Sequence, residues 1–255
     1  LTGSNSSYTG ATTVNAGTLT LNGTTVYNDT STSSSALTIA TGATVVARQD
    51  TTSGTIVAHF GSLAGNGTLQ IGQGSIDNRI TVGYNNSNTT FSGFLSSNRA
   101  NNFFNKLGTG ALTLSGNNTG SVGQLKLTTN GTASNEIVFG HASAPGNMTL
   151  GFDVAGTVSA SVAGVDIKGG VSFANSGGNF GSATNTNDIL VSGAVDLGTT
   201  TRTITVSNNT TFAGNVTNTA GFTKAGAGTL TLSGNNTYSD VTTVNAGVLN
   251  IQHAN

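Results

Sequence analysis

One octapeptide occurs twice in this chain, letter for letter: Leu112-Thr113-Leu114-Ser115-Gly116-Asn117-Asn118-Thr119 and Leu230-Thr231-Leu232-Ser233-Gly234-Asn235-Asn236-Thr237, 118 residues apart. Repetition of that length makes internal periodicity the first constraint on any fold. A hexapeptide, Thr-Thr-Val-Asn-Ala-Gly, spans residues 12–17 and returns at 242–247, an offset of 230. Lys106 and Lys224, each six residues ahead of an octapeptide copy, share the 118-residue offset. Looser echoes join residues 79–82 to 202–206 and residues 89–93 to 210–214. Residues 128–190 are the least regular and contain the single Pro145, Met148 and Glu136.

Between the repeats, short apolar pairs alternate with polar residues, as in Leu19/Leu21, Leu37/Ile39, Leu69/Ile71, Ile80/Val82, Ile137/Phe139 and Val171/Phe173. A period of two marks half-buried strands. Helices are disfavoured because Gly interrupts every window that could offer a helical stripe, at about 1 kcal/mol per residue against Ala. A β-sandwich accommodates short strands but does not account for matching elements at offsets of 118 and 230.

A coiling chain does account for them. Leu230/Leu232 and Leu249/Ile251 present matching apolar pairs 19 residues apart. Each coil would lay its strand parallel to the equivalent strand below, ~4.8 Å away. Like side chains then stack into a core that no single coil could bury alone. Gly and Asn suit the corners because both tolerate left-handed backbone, and stacked Asn side chains can form ladders. One Pro in 255 residues fits strands whose N–H groups are all needed by a neighbour. Charged residues make up only 7%, as expected where like charges would stack a coil apart. At roughly 20 residues per coil the chain gives about 12 coils and a rod of about 60 Å. The fold expected is all-β, a parallel β-helix or solenoid, running as one continuous segment over residues 1–255.

The stretch Lys224-Ala225-Gly226-Ala227-Gly228-Thr229-Leu230-Thr231-Leu232-Ser233-Gly234-Asn235-Asn236-Thr237-Tyr238, continuing to Gly247, resembles the passenger-associated transport repeat, also called the autotransporter-associated β-strand repeat. Asp240 stands where that family's pattern has Gly. The repeat elements are residues 106–119, which match only as far as Thr119, and 224–251, with a partial copy in 1–22. The resemblance implies a right-handed parallel β-helix in the secreted passenger of a bacterial surface protein. It also implies type V secretion, and a C-terminal β-barrel outside this segment. Both ends read as cut through a repeat array.

The residues argue against chemistry. The nine acids, Asp29, Asp50, Asp77, Glu136, Asp153, Asp166, Asp188, Asp196 and Asp240, are mostly isolated, whereas acid–base catalysis or calcium binding needs carboxylates together. His59, His141 and His253 are singletons, and no Gly-x-Ser-x-Gly elbow occurs. The chain has no Cys, so thiolate zinc sites, disulfides and cysteine nucleophiles are excluded. Phe91, Phe94, Phe103 and Phe104 read as core stacking ahead of a sugar platform. Sequons such as Asn28-Asp29-Thr30, Asn66-Gly67-Thr68 and Asn147-Met148-Thr149 are expected from composition alone. A net charge of −1 with scattered Lys and Arg provides no nucleic-acid stripe. No apolar run has the ~20 residues of a membrane span, and no basic n-region followed by an apolar h-region starts the chain, so a signal peptide would lie outside this segment or have been removed.

The expectation is therefore no enzyme, with no catalytic residues, cofactor or metal site. The chain reads as an extracellular or surface-displayed stalk supporting adhesion, with a host or neighbouring-cell surface or its own copies as partners. The alternatives are a subunit of a filament or matrix built by end-to-end stacking, and a carbohydrate-binding or carbohydrate-active β-helix.

Overall fold

The computed structural model describes residues 10–22, 35–48, 56–72, 77–129 and 135–252. No helix occurs among them. Every strand pairing is parallel, and the strands form sheets of eleven, eight, five and four strands. The eleven-stranded sheet runs from Thr12–Val14 to Thr242–Val244 with one strand from each coil. This is a parallel β-solenoid.

Register gives the coil length. Val14 pairs with Ile39, Ile39 with Gly65, and Gly65 with Phe91, steps of 25, 26 and 26 residues. Near the other end the steps shorten to 20, as in Arg202 to Phe222 and Phe222 to Thr242. Coils longer than the assumed 20 residues make the sequence estimate of about 12 coils slightly high.

Three faces enclose the core. Strands of the eleven-stranded sheet make the first and those of the eight-stranded sheet the third. The second face belongs to the four-stranded sheet (Thr18–Asn22 to Phe94–Ser97) and later to the five-stranded sheet (Val165–Asp166 to Val248–Ile251). Between them, residues 115–123 and 141–148 replace strands with turns. This is where the first octapeptide copy loses the family pattern and where Pro145 lies.

The core follows from the period-two pattern. Leu112, Leu114, Leu230 and Leu232 are buried, while the threonines between them face outward. Burying each leucine contributes roughly 1.5–3 kcal/mol. Leu230 registers with Leu249 and Leu232 with Ile251, as the 19-residue spacing predicts. Phe152 and Phe173 stack at 5.2 Å, and Phe180 meets Phe212 edge-on at 5.6 Å. Such pairs add about 0.5–1.5 kcal/mol beyond area burial.

The two octapeptide copies occupy different faces. Ala111–Leu114 belongs to the eleven-stranded sheet, whereas Thr229–Leu232 belongs to the five-stranded one. The motif therefore specifies a strand and the corner after it, not a position around the coil. In both settings its glycine stacks on an earlier glycine. A Cβ at Gly116 would lie 1.8 Å from the Gly93 carbonyl oxygen, and one at Gly234 would lie 2.4 Å from that of Gly214.

Asparagines seal the corners by an unexpected route. Asn118 is buried; its Oδ1 accepts from Leu95 N at 2.8 Å, and its Nδ2 donates to the Ala144 carbonyl at 2.7 Å. Asn102 does the same with Asn78 N and the Ile71 carbonyl. These side chains bond to the backbone of adjacent coils, where the sequence had suggested ladders of amides bonded to one another.

Candidate functional site

Two lysines sit inside the solenoid. Lys106 and Lys224 are 2% and 0% exposed. A buried ammonium is costly unless its donors are satisfied. Lys224 Nζ donates to the carbonyls of Ala225, Gly226 and Ala246 at 3.0, 2.7 and 3.0 Å. Lys106 Nζ donates to those of Leu107 and Gly108 at 2.6 and 3.1 Å. Desolvation holds Lys106 at about 8 instead of 10.5, partly offset by the Glu136 charge, and also lowers Lys224. The Lys-x-Gly stretch common to both repeats is thus a corner staple. The shared offset of these lysines was visible in the sequence; their burial was not.

The carboxylates are dispersed. Asp77 pairs with Arg99 at 3.4 Å, and Glu136 accepts from Ser159 Oγ at 2.7 Å. Asp166 accepts from the Ser192 backbone and hydroxyl, Asp196 from Gly198 N and Asn218, and Asp240 from Val241 N. Asp153 and Asp166 share no partner. Asp188 is exposed. His59 Nδ1 meets the Tyr84 hydroxyl, and His141 Nδ1 accepts from Ser143 N. Asp29, Asp50 and His253, like the sequon at Asn28, lie outside the described residues; Asn66 and Asn147 are exposed.

The aromatic group divides. Phe91 and Phe104 are core, but Phe94 is 39% exposed and Phe103 faces outward on the eight-stranded sheet. The Arg79 guanidinium and the Lys126 ammonium each lie 5.1 Å from the Phe103 ring centre. Lys126 pairs with Asp153 at 3.3 Å, and Asp153 accepts from Asn175 at 2.7 Å. Arg202 donates to the Ala174 carbonyl beside them. These residues come from coils far apart in sequence, so no local motif announced them.

Register makes the arrangement linear. One row along the outer face reads Arg79, Phe103, Gln124, Thr149. The next reads Thr81, Asn105, Lys126, Gly151, Ser172, Asp196. The Lys126 stem packs over Gly151, 3.2 Å from where a Cβ would lie, and only a small trench of about 110 Å³ remains, bordered by Gln124, Lys126, Thr149, Asp153, Ser172 and Asn175. A second hollow, on the corner leading to the eleven-stranded sheet, is lined by Thr109, Asn135, Glu136, Gly156, Thr157 and Asn179 and has one carboxylate. The trench can form hydrogen bonds in both directions and holds one ion pair. Among the described residues no three of the His, Asp and Glu side chains come together as a metal site would require.

The fold places the chain among parallel β-solenoids built from recurring strand-and-corner units. The sequence model of the passenger-associated transport repeat family matches residues 1–21 and 222–251. Over 89 residues the chain is 39% identical to the "Adhesin BmaC autotransporter" of Brucella suis biovar 1 (strain 1330), covering 33% of this chain and 2% of that relative. No solved structure matches. The two ends of the chain are thus similar to passenger-associated transport repeats, and the chain spans only a small fraction of the length of the autotransporter it resembles.

Proposed function

We propose that this segment is a non-enzymatic stalk that supports adhesion by the passenger to a host or neighbouring-cell surface. The observation that carries the reading is the eleven-stranded sheet, which links one strand per coil over an apolar interior from Val14 to Phe222. Such a sheet makes a stiff spacer with side chains available on its outer faces. The trench contributes one carboxylate, Asp153, already paired with Lys126, which supports a binding role over acid–base chemistry. The matched relative is named an adhesin, in keeping with this reading. The test is attachment of bacteria displaying the passenger with and without residues 1–255. Unchanged attachment after an in-frame deletion that preserves surface display would sink the proposal.

A further inference from the structure

We infer that Asn117 is an acceptor site for an N-linked sugar, delivered to its Nδ2 by a transferase that reads Asn-x-Ser/Thr and uses a nucleotide-activated hexose. The inference does not depend on the adhesive reading. Sequons are plentiful in this chain, so the sequence singles out none of them; the hydrogen bonds do. In Asn117-Asn118-Thr119 the Thr119 hydroxyl donates to Asn117 Oδ1 at 2.6 Å, and the Thr119 N–H donates to the same oxygen at 3.1 Å. No bond to Asn117 Nδ2 occurs among the described residues. Asn117 and Thr119 are both exposed, within the strand-free segment 115–123. A Cβ added at Gly120, the next residue, would meet nothing within 4 Å, so this corner is open to a partner.

An amide nitrogen is a poor nucleophile because its lone pair is delocalised onto the oxygen. As a base of the transferase takes a proton from Nδ2, negative charge gathers on Oδ1, where two donors are already aimed at it. Nδ2 then bonds to the anomeric carbon of the hexose. The bond from that carbon to the nucleotide diphosphate breaks, and the diphosphate leaves with the electron pair. Elsewhere a part of this arrangement is missing. Asn85 accepts from Ser87 N, but its Nδ2 donates to Ser62 Oγ at 3.1 Å. The Oδ1 atoms of Asn88 and Asn215 are taken by the N–H groups of Ala111 and Asn235 in the following coils. The Thr149 hydroxyl turns away to the Gly169 carbonyl at 2.9 Å. Asn235-Asn236-Thr237 has the same letters and the same exposure, but Thr237 N donates across coils to the Val216 carbonyl at 2.9 Å and not to its own asparagine. The second octapeptide is therefore an internal reference for geometry at constant sequence.

The test uses the folded 255-residue chain, UDP-glucose and a soluble bacterial asparagine glucosyltransferase chosen for activity on two free peptides, residues 106–122 and 224–240. Intact mass and peptide mapping follow occupancy with time. The expected result is one hexose at Asn117, gained about tenfold faster than at Asn235, while the two free peptides are modified at similar rates. Asn117→Gln removes that hexose, and Thr119→Ser, which keeps the hydroxyl, retains it. No hexose on Asn117, equal rates at Asn117 and Asn235 in the folded chain, or the same preference between the free peptides as in the folded chain overturns the proposal.

Discussion

The Lys224 ammonium donates to the carbonyl of Ala246, 22 residues on and one coil away, at 3.0 Å. With the carbonyls of Ala225 and Gly226 it has three acceptors for three donors. Lys224→Met keeps most of the side-chain volume and removes all three bonds, leaving buried carbonyls unpaired at about 1–3 kcal/mol each. The expected loss is several kcal/mol, read by urea unfolding. A loss below about 1 kcal/mol would show that the staple adds little beyond packing.

Lys106 gives the same device a pH signature. Its folded-state value is held at about 8 against the ordinary 10.5, chiefly by desolvation. Between those values the unfolded chain keeps the proton that the folded chain has released, so stability rises with pH across that window and is flat on either side. The rise is on the order of 3 kcal/mol, at ~1.4 kcal/mol per pH unit. The difference in unfolding free energy between wild type and Lys106→Met, measured from pH 7 to 11, should contain that rise. A difference that does not change across the window would refute it. Lys224 is shifted in the same direction, so Lys224→Met should also remove an alkaline gain.

Much of the architecture could be read from residues because a strand's inward and outward positions alternate locally. Leu112/Leu114 and Leu230/Leu232 declare their buried side without reference to anything distant. What a residue touches across coils depends instead on the number of residues in every intervening corner. That is why identical octapeptides land on different faces. It is also why the rows beside Gly151 were invisible: register alone joins Phe103 to Gln124 and Lys126 to Gly151. Of the residues at the trench, Gly151 and Asp153 fall within the irregular stretch 128–190, while Gln124 and Lys126 precede it.

The glycines of the octapeptide should be intolerant for a reason independent of dihedral angle. Neither Gly116 nor Gly234 has a positive φ. Yet Gly116→Ala would drive a methyl to within 1.8 Å of a backbone oxygen, and Gly234→Ala to within 2.4 Å. A carbonyl cannot swing aside as a side chain can, so the coils must separate and weaken neighbouring hydrogen bonds. Both variants should lose more than about 2 kcal/mol, Gly116→Ala more than Gly234→Ala. Thermal unfolding decides; a neutral Gly116→Ala would mean the corner is looser than its packing shows.

The final prediction sets two equivalent asparagines against each other. Asn118 and Asn236 hold the same place in the octapeptide, and each accepts from the backbone of an earlier coil, Leu95 N at 2.8 Å and Val216 N at 3.0 Å. Asn118 also donates to Ala144 and is buried, whereas Asn236 is half-buried. Truncation at Asn118 strands a buried donor and a buried acceptor, each costing about 1–3 kcal/mol. Water can reach the group left behind at Asn236, so its loss should stay near 1 kcal/mol. Asn118→Ala should therefore destabilise by about 2–5 kcal/mol and Asn236→Ala by much less. Asn118→Asp separates the two bonds, because it keeps the acceptor for Leu95 N and replaces the donor to Ala144 with repulsion between oxygens. It should be no better tolerated than Asn118→Ala at neutral pH and should recover as the carboxyl is protonated in acid. Equal losses at Asn118 and Asn236, measured by chemical unfolding of the single variants, would show that the motif, and not its burial, sets the energy of the corner.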